Sequence, residues 1–183
     1  IFIRLLNNSA SVYGANVDYI ISVREIPSSA PISAVIIVAG KKEDGDTLQA
    51  NIHNLTTRAY NMFRGNGYSA DQIYYLADDR SLPGVDDLVD AEKIHLAITQ
   101  WAPSLISTNG ALTLYLMDHG RREALYLDGT RGYMLTTQQL SAWLDELEAA
   151  RPDIKVNVIL DACYSGSFIT NPQSISKAGR VVI

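Results

Sequence analysis

The chain has 183 residues, 47% apolar and 19% charged, enough to bury a full hydrophobic core without metal or disulfide staples. A net charge of −5 leaves no broad basic face for a nucleic-acid backbone, and the longest apolar runs fall far short of the ~20 residues of a membrane span. The single cysteine excludes an internal disulfide and leaves a choice between a buried filler and a reactive thiol. Residues 1–30 hold two β-branched, aromatic-rich stretches followed by a Pro/Ser linker. They read as a strand pair, either packed on the main domain or ending an upstream all-β domain. The chain opens on Ile1 and closes on the strand-like Arg180-Val-Val-Ile183, so both ends read as cut from a longer protein. That hints at export, to a secreted, periplasmic or surface location.

From residue 31 to 183 the pattern is that of a second domain, incomplete at its C-terminus. The apolar run 34–39, ending in Gly40, predicts a buried parallel strand. Leu48, Ile52, Leu55, Ala59, Met62 and Phe63 recur at helical spacing up to a Gly65-Asn-Gly67 stop. Residues 72–77 predict a second strand, 78–87 a polar loop, and 91–105 a helix weakened near its end by Pro103. Residues 111–117 predict a third strand, and 124–127 with 132–135 a small hairpin. Thr136 and Gln139 form a capping box for a helix carrying Leu140, Trp143, Leu144 and Leu147. Residues 155–160 predict a fourth strand. This alternation implies an α/β fold, with a mostly parallel sheet between helices on both faces.

In such sheets chemistry sits beyond the carboxyl ends of the strands. Two of those ends carry His119 and Cys163. A thiol attacks a carbonyl carbon as thiolate, and a neighbouring imidazole can take its proton and return it to the leaving amine. Gly120 lacks a side chain, so its backbone can approach a substrate. Its N–H and that of Cys163 could form an oxyanion hole. Ser165-Gly-Ser167 keeps the following turn tight. The competing readings are a small buried cysteine and a structural histidine.

Tyr115-Leu-Met-Asp-His-Gly120, followed by Leu160-Asp-Ala-Cys-Tyr-Ser-Gly-Ser-Phe168, resembles the legumain-like cysteine peptidases of the wider caspase-like clan. The resemblance extends over about residues 34–183 and includes Val38-Ala-Gly40 and the Arg58-Ala-Tyr60 helix. It implies a caspase-like three-layer αβα fold and a cysteine endopeptidase needing no cofactor. In that family Cys163 would be the nucleophile, His119 the general base and acid, and Gly120 with Cys163 the oxyanion hole. Asp161 would line the specificity pocket. Tyr164, at the mouth of the site, and Ser165 would also bind the substrate, which would be a protein or peptide. The Asn and Arg that the family places after its first strand have no match in residues 41–49. An uncompensated Asp161 would favour Arg or Lys at the cleavage site; neutralised by Lys41 or Lys42, it would favour a neutral polar residue such as Asn. The alternatives are a transpeptidase that passes the same acyl-enzyme to an amine, and a non-catalytic binding module. The polar segment 170–177 is an expected loop that self-cleavage could use.

Other candidates read as structural. Asp118 precedes His119, and neighbours on an extended chain point oppositely, so it is expected to act structurally or electrostatically. His53 and His95 lie on predicted helices and are given no function. The acidic stretch 78–90 lacks the order of a calcium loop, and the cysteine and scattered histidines do not make a zinc site. Asp44-Gly45-Asp46 reads as a flexible loop at the border of the cleft.

Overall fold

The apolar run 34–39 is buried on both faces near the centre of a six-stranded sheet that forms around it. The computed structural model describes residues 30–170 and 172–183; the strand pair expected before residue 30 lies outside them. The elements in chain order are β1 (Ala34–Ala39), α1 (Gln49–Gly65), β2 (Ile73–Ala77), β3 (Asp87–Leu88), α2 (Ala91–Leu96), α3 (Ala102–Leu105), β4 (Ala111–Met117), β5 (Gly120–Arg121), β6 (Ala124–Asp128), β7 (Tyr133–Thr136), α4 (Thr137–Ala150), β8 (Lys155–Asp161) and β9 (Arg180–Val182). The main sheet has the order β3-β2-β1-β4-β8-β9, and its strand pairs are all parallel. The fold is mixed α/β with the expected parallel sheet, consistent with a caspase-like architecture. No described helix is long and apolar enough to cross a membrane.

Side-chain alternation sorts the core into two layers. Val35, Ile37 and Ala39 of β1 face α1, where Ile52 and Tyr75 complete the packing. Ile36 and Val38 face the other way, onto Ile94, Ile98, Leu140 and Leu144 of the second helical layer. The Thr136–Gln139 capping box starts α4 as expected. Arg180 of β9 is tied to α4 by Glu148 at 2.6 Å and Asp145 at 2.5 Å. Its side chain is fully buried, so these bonds offset the cost of desolvating the guanidinium.

The structure departs from the sequence reading in three places. The predicted helix 91–105 is interrupted by a π-helical stretch, Ala97–Trp101. Pro103 has no N–H for the Thr99 carbonyl and its ring crowds that carbonyl, which widens the preceding turn. The loop 78–87 ends in the short strand β3, which Leu76 and Ala77 of β2 pair with Asp87 and Leu88. Finally, β4 and β8 are apolar but only half covered. Leu112, Leu114 and Leu116 are buried, while Tyr115, Met117 and Ile159 stay partly open. Next to α1 a groove of about 660 Å³ remains there, lined by Met62, Phe63, Tyr115 and Ile159 among others.

Candidate active site

The register of the central strands places the two motifs side by side. Met117 of β4 pairs with Asp161 of β8, so the residues two places further on, His119 and Cys163, leave the sheet from neighbouring strand ends. The backbones beyond those ends are in close contact. A Cβ built on Gly120 would lie 2.1 Å from the Cys163 carbonyl oxygen and 3.3 Å from the Ala162 Cβ. Glycine is therefore required for the His119 and Cys163 loops to pack together.

Cys163 is exposed. Tyr164 behind it has φ 61°, a left-handed backbone that a non-glycine residue adopts at some cost and that concentrates at functional turns. Tyr164 is 67% exposed at the mouth of the turn. The Ser165 N–H donates to the Ala162 carbonyl at 3.3 Å, so this residue holds the turn. Ser167 links the Cys163 loop to the hairpin after Gly120. Its hydroxyl donates to the Tyr164 carbonyl at 2.7 Å and accepts from the Glu123 N–H at 2.7 Å.

His119 finds its partner where the sequence reading placed a flexible loop. Its Nε2 lies 2.6 Å from Asp46 Oδ2, across 73 residues of chain. The other oxygen of Asp46 accepts from the Leu48 N–H at 3.0 Å, at the start of α1. That N–H, together with His119, holds the Asp46 carboxyl below the usual carboxylate range against the opposing effect of burial. Asp46 thus holds the His119 ring from within residues 41–49, where the sequence offered no matching Asn or Arg. Its only sequence signal was a carboxylate just before a helix, beside a strand end.

Asp118 behaves differently from its neighbour. One of its oxygens accepts from the His119 backbone N–H at 2.6 Å; the other is buried without a hydrogen-bond partner. A Cβ on Gly40 would fall 2.3 Å from that second oxygen and 2.2 Å from the Tyr126 carbonyl, so Gly40 makes room for the carboxyl. Burial pushes the Asp118 pKa up to about 7; the His119 N–H opposes this, and Asp78 and Asp46 add to it. The folded protein therefore holds this proton where the unfolded chain, with an ordinary carboxyl near 3.9, has released it. Stability contributed here is full at low pH and is lost as pH rises from about 4 through 7, by roughly 4 kcal/mol in all. Asp118→Asn is expected to flatten that loss in urea unfolding at pH 5, 7 and 8. Parallel pH dependences for the two proteins would refute this account of Asp118.

The remaining sequence candidates separate clearly. Asp161 is exposed and accepts from the Tyr115 hydroxyl at 3.2 Å; burial, with Asp161 adding to it, pushes the Tyr115 pKa up to about 12. The two lysines considered as its neutralisers pair elsewhere, Lys41 with Asp44 at 2.8 Å and Lys42 with Glu43 at 3.5 Å. Among the described residues Asp161 has no ion pair. His53 bonds Asp78 at 2.6 Å, and Gln49 joins that pair to the Gly40 carbonyl at 2.8 Å, bracing the ends of β1 and β2. His95 stacks on Trp143 and meets Glu146 at 2.9 Å. The acidic stretch is occupied with chain contacts: Asp79 caps Ser81, Asp86 accepts from Tyr75, Asp87 meets Lys93 and Asp90 caps α2.

The order strand, His-Gly, helix, strand, Asp-Ala-Cys is now seen as one structural unit. Residues 105–178 match the model of the Peptidase C13 family. Over that stretch the chain is similar to the legumain-like cysteine peptidases. The matched stretch is less than half of the chain, but it runs from the end of α3 past the Cys163 turn and contains both motifs of this legumain-like site. No curated protein matches the chain.

Proposed function

We propose that the protein is a legumain-type cysteine endopeptidase that cleaves peptide bonds through an acyl-enzyme on Cys163. The observation that carries the reading is the convergence of His119, held by Asp46, with the exposed Cys163 at adjacent strand ends. With Nε2 committed to Asp46, Nδ1 is the ring nitrogen left to take the thiol proton. The thiolate adds to the substrate carbonyl carbon, and His119 returns the proton to the amine as the C–N bond breaks. Water, deprotonated by His119, then releases the acid from the thioester.

The same geometry supports an oxyanion hole. The His119 carbonyl accepts from the Tyr126 N–H at 3.1 Å, which fixes the plane of the His119–Gly120 peptide. The peptide is trans, so the Gly120 N–H points away from Tyr126. With the Cys163 N–H it would receive the developing negative charge.

Asp161 favours a basic residue at the cleavage site, since no cation among the described residues pairs with it and it lies on the open face beside Tyr115. Asp161→Asn is expected to lower kcat/KM on Arg and Lys peptides roughly tenfold, about 1.4 kcal/mol, with less effect on Asn peptides. Fluorogenic peptides that differ only at this residue test it. A variant with unchanged selectivity would remove Asp161 from the pocket.

A further inference from the structure

A second cavity lies beside the site, between the β5–β6 turn and the N-terminus of α4. It has a volume of about 440 Å³ and is lined by Arg121, Arg122, Glu123, Thr136, Thr137 and Gln138, among others. Resting on the peptidase reading above, we infer that this cavity is a carboxylate-binding subsite for the peptide substrate.

Three independent features converge on an anion. Arg121 and Arg122 are exposed and, like Arg58 and Arg64, form no ion pair among the described residues, whereas Arg131, Arg151 and Arg180 are paired with carboxylates. The guanidinium fork suits a carboxylate in a way that a solvated lysine does not. Next, α4 has fourteen residues and no acidic side chain in its first turn, so its positive end adds to the two arginines, with Glu123 as the one carboxylate in the cavity lining. Last, Thr137, the first residue of α4, is 2% exposed and its hydroxyl has no hydrogen-bond partner. A buried hydroxyl normally finds an acceptor. A carboxylate in the cavity would supply one and would outweigh the single opposing charge of Glu123.

The cavity is coupled to the chemistry by its frame. Arg121 directly follows Gly120, and the Glu123 N–H donates to Ser167 in the Cys163 loop. The anion therefore sits within about two to three extended residues of the scissile bond. Either an acidic side chain or a free C-terminal carboxylate of the substrate meets this chemistry.

The test uses the full-length protein and peptides sharing one cleavage-site residue. In one set Glu replaces Gln at each of the three positions on either side of the scissile bond; in another, a free C-terminus replaces an amide. One Glu position, or the free terminus, is expected to raise kcat/KM about tenfold, mainly through KM. Arg121→Gln/Arg122→Gln should bring that ratio to about one, and Thr137→Val should reduce it. In parallel, fluorescence anisotropy of the labelled Glu and Gln peptides on the Cys163→Ala protein reads binding without turnover. Equal cleavage of all pairs, or a preference that survives in the double variant, overturns the inference while leaving the peptidase standing. If no peptide is cleaved, charge-dependent binding lost in Arg121→Gln/Arg122→Gln still supports the subsite, and charge-independent binding overturns it.

Discussion

Gly120→Ala is expected to abolish measurable peptide turnover while leaving the protein folded. The added methyl would lie 2.1 Å from the Cys163 carbonyl oxygen, 3.2 Å from its carbon and 3.3 Å from the Ala162 Cβ. Two of these three neighbours are backbone atoms, so no side-chain rotation relieves the clash. The His119–Gly120 segment must move away from the Cys163 turn. In the proposed mechanism it carries the base on one residue and an oxyanion donor on the next, so one shift displaces both. Loss of an oxyanion donor alone costs about 10²–10³ in kcat, and displacement of the base by an ångström adds about 10². A fall of at least about 10⁴ in kcat/KM is expected on these grounds. The core layers under β4 and β8 lie one strand length away, so far-UV circular dichroism should match the wild type. Turnover within tenfold of wild type would mean that the two loops do not meet as described.

The second large effect is expected at Asp46. Removing its carboxylate by Asp46→Ala leaves Nε2 of His119 without its acceptor, and the ring loses both its orientation and its tautomer. In triads of this type the orienting carboxylate is worth about 10⁴ in kcat; with the ring 21% exposed and water able to substitute, about 10²–10³ is expected here. The loss should fall on kcat, because Asp46 acts through His119. Asp46→Asn tests the tautomer. Its single amide oxygen replaces only one of the two accepting carboxylate oxygens, Oδ1 on the Leu48 N–H or Oδ2 on Nε2; with the oxygen kept on the Leu48 N–H, the amide NH2 donates to Nε2 and holds the ring in the wrong tautomer. It should lose at least as much activity as Asp46→Ala. If Asp46→Ala and Asp46→Asn both keep wild-type kcat, Asp46 is a cap for the start of α1 and nothing more.

Much of the fold was legible because its signals are local. The uninterrupted run 34–39 can be buried on both faces only inside a parallel sheet, and β1 is buried along its whole length. The Thr136–Gln139 capping box fixed the start of α4 to the residue. Signals that depend on distant neighbours were not legible. β3 has two residues, too few for any periodicity, and exists because β2 offers an edge. The half-open state of β4 and β8 is invisible in their composition, since α1 covers β1 and β2 but leaves a groove over Tyr115 and Ile159.

The site divides in the same way. His119, Gly120 and Cys163 were found because each sits in a short motif at the end of an apolar strand. Asp46 was passed over because Asp44-Gly45-Asp46 has the composition of a flexible turn, and its meaning comes from a contact 73 residues away. The fate of Asp161 likewise depended on where Lys41 and Lys42 turn, and they turn to Asp44 and Glu43. The cavity at α4 could not be read from sequence at all, because Arg121 and Thr137 are joined only by the fold of the hairpin between them.

The most direct test of the central claim is active-site labelling and turnover by the full-length protein beside its Cys163→Ala variant. Acyloxymethyl-ketone probes carrying Arg, Lys, Asn or Asp, with the matching fluorogenic peptides, report thiol reactivity and side-chain preference together. Labelling and turnover that require Cys163, strongest with Arg and Lys, are the predicted result. Turnover that persists in Cys163→Ala, or a folded wild-type protein that no probe labels and that cleaves no peptide, would contradict it.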